Sequence, residues 1–238
     1  PVDSTNGLLP TLAGVKTALE AGHKLFYLES PVRLTGQAFN ESEVSALASL
    51  FKEHDATVIW DQGMSPWMDQ AAYFPLASHP DMNKQVTLIG EAWPGSGIEH
   101  MFLGYIASSP AWMPQMTKQK QIMAICTSTA SQYAGLAAAN LYTEQHTEQL
   151  ERLAQTKKAV IDLLSPAYGT TAIFNNSTAS VLALSLSEDE KSKCISRLQS
   201  AGIGYADGKD FGDDSIIRIA MTFDDVAITA CQQLVEGL

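Results

Sequence analysis

The sequence predicts an α/β fold: a buried parallel sheet covered by helices over residues 1–145, followed by a small α+β domain over residues 146–238. Two observations carry this. In the first part, short apolar runs alternate with stretches of helical period, as expected of strands buried on both faces. After Pro166 the pattern changes to shorter strand and helix units, which read as a smaller domain hinged on a long helix.

Each element has its own signal. Leu12, Val15 and Leu19 recur at spacings of three and four, so 12–21 reads as a short helix. The run Lys24 to Leu28 is a compact strand candidate that ends in Glu29-Ser30-Pro31. Asn40-Glu41-Ser42-Glu43 sets an N-cap side chain before an acid three residues on, a pair that satisfies free N–H groups at a helix start. Val44, Leu47, Ala48 and Phe51 give that helix an apolar stripe. Further strands are expected at 56–60, ending at Asp61, at 85–89 and at 101–106. Asp61 therefore sits at the carboxyl end of a strand, where open α/β sheets bind ligands.

The middle of the chain reads as helices at 110–125, 131–142 and 144–164, the last with Leu150, Leu153, Ala154, Val160, Ile161 and Leu164 on one face. Beyond Pro166, strands are expected at 180–186, 203–206 and 215–221, with a helix at 188–201. Asp224 caps a last helix that turns Ala227, Ile228, Cys231, Leu234 and Val235 inward.

Composition excludes several function classes. The chain has 238 residues, 45% hydrophobic and 17% charged, which suits a folded protein. A net charge of −11 repels phosphate backbones, and Lys118 with Lys120 is too small a basic cluster, so no nucleic-acid partner is expected. No apolar run reaches membrane-spanning length, so no membrane partner is expected either. Cys126, Cys194 and Cys231 are far apart and odd in number. They argue against a disulfide scaffold and fit a reducing, cytoplasmic setting. His23, His54, His79, His100 and His146 show no ligand spacing, so they are expected on the surface or in loops, with no metal site. Pro1-Val2-Asp3 carries no initiator methionine and no leader pattern, and reads as the interior of a longer protein.

The chemistry lies in an ordered series. Ser30-Pro31-Val32-Arg33-Leu34-Thr35-Gly36 follows one strand, and Trp60-Asp61-Gln62-Gly63-Met64 ends the next. Leu103-Gly104-Tyr105-Ile106 and Ser128-Thr129-Ala130-Ser131-Gln132 come later. Gly208-Lys209-Asp210-Phe211-Gly212 precedes Ile217-Arg218-Ile219-Ala220. In order and spacing the series resembles the class I/II aminotransferases, fold-type-I enzymes that depend on pyridoxal phosphate (PLP). The resemblance runs over essentially the whole chain. It implies a PLP-transferase-like three-layer large domain, partial because its N-terminal portion is missing, and a small α+β C-terminal domain.

The resemblance also implies site residues. Thr35-Gly36 matches the end of the family's Asn-Pro-x-Asn-Pro-Thr-Gly loop and is expected to contribute to substrate binding. Arg33 stands where the family's second Asn would reach the cofactor's phenolic oxygen. Asp61 matches the acid that pairs with the pyridine nitrogen, which implies a cofactor-binding role, since that pairing lets the ring accept electrons. Met64 replaces the family's tyrosine. Arg218 matches the arginine that clamps the substrate α-carboxylate, a task suited to a planar fork.

One segment departs from the family. The family reads Ser-x-Ser-Lys, an arginine eight residues after the lysine, then a hydrophobic residue, Gly and Tyr. Anchored on Gly104-Tyr105 without gaps, Phe102 falls at the arginine and Pro94 at the lysine. Residues 91–102 contain no lysine or arginine at any register, and Glu91 would set a negative charge near the phosphate site. The lysine forms the Schiff base and then moves the proton; proline can do neither. No catalytic residue is therefore assigned and no covalently bound cofactor is expected. PLP is expected only if another lysine serves, of which Lys84, Lys118 and Lys120 are the nearby ones.

Some residues have plainer readings. Asp61 could be a helix cap or a polar loop residue. Arg218, in an apolar strand, needs a carboxylate from substrate or from an internal Asp or Glu. Trp93 reads as packing and 208–212 as a turn. Three functions follow: an aminotransferase-like protein with an eroded site that acts as a binding or structural module, an active aminotransferase with a displaced lysine, or a sensor domain for a small carboxylate. The expected partners are a second copy, as a homodimer, or a missing N-terminal part that covers the sheet edge.

Overall fold

Strand β1 (Val2–Asp3) pairs antiparallel with β2 (Leu9–Pro10), and the chain then enters helix α1 (Leu12–Glu20). The computed structural model describes residues 2–3, 6–80, 82–174, 181–221 and 225–236. Thr11 caps α1 by accepting from the Gly14 amide, and Val15 and Leu19 form its buried side. Strand β3 (Leu25–Glu29) leads to helix α2 (Glu41–Glu53), and strand β4 (Thr57–Asp61) follows. The capping box at Asn40 and Glu43 forms as expected, and the same four residues, Val44, Leu47, Ala48 and Phe51, are buried on α2. Phe51 meets Phe26 of β3 with ring centroids 5.1 Å apart.

Strands β5 (Val86–Glu91) and β6 (Gly104–Ala107) complete a sheet of order β3-β4-β5-β6. β3, β4 and β5 are parallel, whereas β6 runs antiparallel to β5 with Glu91 opposite Gly104. The expectation of a parallel sheet is corrected at this last strand. The link over 92–103 holds a single 3-10 turn at Glu99–Met101 and no crossover helix, which a parallel return would need.

Helix α3 (Met113–Ala124) has no buried residue. Helix α4 then runs unbroken from Thr129 to Tyr168, so the two expected helices at 131–142 and 144–164 are one. Nothing between them breaks a helix, and Thr147 donates its hydroxyl to the Thr143 carbonyl across the junction. The expected boundary between residues 145 and 146 falls inside α4. Leu153, Val160 and Leu164 are buried as expected. Ala154 is exposed, and Thr156 and Lys157 take buried positions that periodicity did not assign.

Beyond α4, strands β7 (Ile173–Phe174) and β8 (Val181–Ser185) come first. Helix α5 (Glu188–Ser200), strands β9 (Tyr205–Asp207) and β10 (Ile216–Ala220) and helix α6 (Asp225–Val235) follow. They form a second sheet, β7-β8-β10-β9, antiparallel throughout. Its core joins Leu153, Val160 and Leu164 of α4 to Leu182, Leu184, Cys194, Leu198, Ile217 and Leu234. The start of the expected strand at Ser180 and the cap at Asp224 lie outside the described residues. Ala183 and Ile216 of this second sheet pack into the first core, and Trp67 of the first part packs into the second.

Helices α1 and α2 cover one face of the first sheet, where Leu28, Val58 and Trp60 are buried. The alternate residues face the other way. Leu25 is 66% exposed, Tyr27 58% and Ile106 55%. No helix of the described residues is long and apolar enough to cross a membrane.

Candidate functional site

Asp61 ends β4 and is buried, beside Glu29 at the end of β3 and Ile89 on β5 in the parallel register. Its carboxylate has three donors. The Tyr27 hydroxyl donates to Oδ2 at 2.6 Å, the Gly63 amide to Oδ1 at 2.8 Å, and Arg33 Nη2 to both oxygens at 3.0 Å. Burial alone would raise this carboxyl. The Tyr27 hydroxyl, the Gly63 amide and the Arg33 charge outweigh it and hold Asp61 below its ordinary value. Burial and the Asp61 carboxylate push the Tyr27 phenol well up in turn.

Arg33 comes from the loop after β3 and is gripped at its other end. Its Nε lies 2.8 Å from Glu29 Oε1, and its amide donates to Glu29 Oε2 at 3.0 Å. Burial raises Glu29 despite this contact. The backbone carbonyl of Arg33 accepts from Arg218 Nη1 at 3.2 Å. Arg33 thus joins the two sequence-predicted residues Asp61 and Arg218, which lie on different sheets. Arg218 forms no ion pair among the described residues, and its Nε is buried without a hydrogen-bond partner. Among the described residues, a backbone carbonyl rather than an Asp or Glu carboxylate meets Arg218.

A cavity of 340 Å³ opens over this network, lined by Arg33, Asp61, Ile89, Gly90, Glu91, Phe102, Leu103 and Gly104. Phe102 is 92% exposed at its edge. Thr35 and Gly36 are not among the lining residues. Thr35 is buried and donates to the Gly7 carbonyl at 2.6 Å, while Gly36, at φ +71°, makes a turn whose amide bonds Val32. Gly208–Phe211 is a 3-10 turn closed by left-handed Gly212, in line with the plain reading of that segment.

Trp93 packs edge-on against Tyr142, in line with its reading as packing. Tyr142 stacks on His146, and His146 contacts Trp67. The expectation of a surface or loop position fails for His146, which lies within α4. Its Nε2 bonds the Pro66 carbonyl, its Nδ1 is buried without a partner, and burial lowers its pKa. Lys157, buried on α4 beside the second core, is lowered to about 8 by burial and does not line the cavity. Cys126 is exposed while Cys194 and Cys231 are buried, and all three are free. No cluster of potential metal ligands occurs among the described residues.

Chemically, the cavity offers one guanidinium held by two carboxylates and a further acid at Glu91, while Arg218 reaches the Arg33 carbonyl without lining the cavity. Such a set can orient a small polar molecule, and no lysine lines it.

The model of the family described as aminotransferase class I and II matches residues 101–234, more than half of the chain. A putative aminotransferase, YugH, of Bacillus subtilis (strain 168) is 23% identical over 130 residues, covering 55% of this chain and 34% of that protein. Among solved structures, an aspartate aminotransferase from Rhodobacter sphaeroides 2.4.1 aligns with a TM-score of 0.81 at 19% identity, covering 99% of this chain and 61% of that one. An aspartate aminotransferase from Thermotoga maritima gives 0.82 at 17%, with the same two coverages. N-succinyldiaminopimelate aminotransferase from Mycobacterium tuberculosis gives 0.79 at 15%, covering 98% and 63%. These structural likenesses show the fold. The chain spans about a third of the length of YugH and about three fifths of the solved chains.

Proposed function

The chain belongs to the class I and II aminotransferase family, and from that premise we propose that it has given up transamination and serves as a binding module for a small carboxylate. The carrying observation is the cavity lining, which holds Asp61, Glu91 and Phe102 and no lysine. It agrees with the ungapped anchoring that sets Pro94 at the Schiff-base lysine and Phe102 at the phosphate arginine. PLP is the family's cofactor, and the residues around this cavity do not fit it. The acid for the pyridine nitrogen already holds Arg33, and Glu91 would face the phosphate.

What remains suits a carboxylate. Arg218 has one N–H on the Arg33 carbonyl and an Nε that a carboxylate could satisfy. The three free thiols are in keeping with a reducing setting such as the cytoplasm.

The test is PLP addition with borohydride trapping, intact mass and peptide mapping. The expected result is no stoichiometric adduct. Labelling of one lysine at one equivalent would overturn the reading and restore an active aminotransferase with a displaced lysine. The carboxylate site is tested by melting temperature. Small dicarboxylates should raise it through binding to the folded state, and Arg218→Ala should abolish the shift.

A further inference from the structure

We propose that Arg33 is an internal substitute for a cationic ring on Asp61, and that it closes this pocket to pyridinium ligands. The inference rests on the reading above that the PLP site has been given up, and concerns what took its place.

A buried carboxylate needs a cation or several donors to remain charged. Asp61 has both, and all from its own chain. An ionised carboxylate offers about four lone-pair positions. The Tyr27 hydroxyl, the Gly63 amide and the two contacts from Arg33 Nη2 use them. A pyridinium N–H would have to displace Arg33 to reach either oxygen.

Arg33 is built in rather than resting there. Glu29 holds its Nε at 2.8 Å and its amide at 3.0 Å, so the guanidinium is fixed from behind. The space in front is kept by a residue without a side chain: a Cβ on Gly63 would run into Arg33 Nη2 and lie 3.1 Å from Cζ. The short segment from Asp61 to Gly63 thus supplies the carboxylate, an amide for it, and room for the cation. Two acids flank the Arg33 guanidinium, so it is engaged within its own chain, and the carboxylate proposed above falls to Arg218 instead.

The experiment measures binding of pyridoxamine to the full chain by fluorescence and equilibrium dialysis. Pyridoxamine has the ring nitrogen but no aldehyde, so no lysine enters the result, and no phosphate for Glu91 to repel. The proteins are wild type, Arg33→Asn, Arg33→Lys, and Arg33→Asn combined with Asp61→Asn. The expected outcome is saturable binding by Arg33→Asn, about tenfold or more tighter than wild type, as one charge-assisted hydrogen bond allows. Arg33→Lys should stay with wild type, and the double variant should lose the gain. Equal binding by wild type and Arg33→Asn would overturn the proposal, and so would a gain that survives Asp61→Asn.

Should Arg33→Asn not fold, side-chain nitrogen NMR of the wild type decides. A slowly rotating Arg33 guanidinium that is released in Asp61→Asn supports the proposal, and a freely rotating one in the wild type overturns it. Stoichiometric lysine labelling by PLP would end the broader reading while leaving these titrations interpretable.

Discussion

At Asp61, a charge that burial would penalise is kept by three donors from its own chain. The sign of its effect on stability follows. Its folded pKa lies below the ordinary 3.8, so its stabilisation is fully present above that value and is lost as pH falls through the lower folded value. Asp61→Asn should lower unfolding free energy at pH 7 by about 1–3 kcal/mol, since Arg33 and Tyr27 lose a charged acceptor. Below about pH 4 the difference from wild type should shrink. Denaturant titrations at the two pH values check this. Position at a strand end made Asp61 legible in the sequence. Arg33 was legible only as a departure from the family loop, since 28 residues separate the two in sequence. The partner of Arg218 was not legible, because a backbone carbonyl 185 residues away carries no side-chain signal.

Among the elements, α2 is the most locally encoded. Asn40 accepts from the Glu43 amide at 3.0 Å, and Glu43 accepts from the Asn40 amide at 2.9 Å. Asn40→Ala should therefore cost about 1 kcal/mol, read as a lower denaturant midpoint with an unchanged slope. The buried stripe of α2 was legible for the same reason: its period and its cap act within a few residues. Strand β6 and helix α4 were read less well. The direction of β6 depends on the short link behind it, and the continuity of α4 depends on the absence of a breaker between two plausible helices. His146 shows the same limit, since it packs on Pro66 and Trp67 of a 3-10 turn that, at Pro66, lies 80 residues earlier in sequence.

Across the whole molecule, the first sheet carries helices on one face and leaves Leu25, Tyr27 and Ile106 open on the other. Sheets with parallel strands are ordinarily covered on both faces, and an exposed apolar face invites association. The chain should bind a hydrophobic dye at neutral pH and self-associate with rising concentration. Leu25→Lys with Ile106→Lys should weaken both without lowering the melting temperature, as light scattering and thermal melts would show. Persistence of both in the double variant would place the association elsewhere.

The sequence by itself determined the α/β class, the cap and core stripe of α2, the strand-end position of Asp61, and the run at 91–102 without lysine or arginine. These follow from rules that act over a few residues or from residue identity alone. Only the tertiary structure decided that Arg33 meets Asp61, that Gly63 leaves it room, and that Arg218 of the second sheet reaches the same loop. Those contacts depend on strand register and on how distant segments return to one another, which local periodicity does not encode.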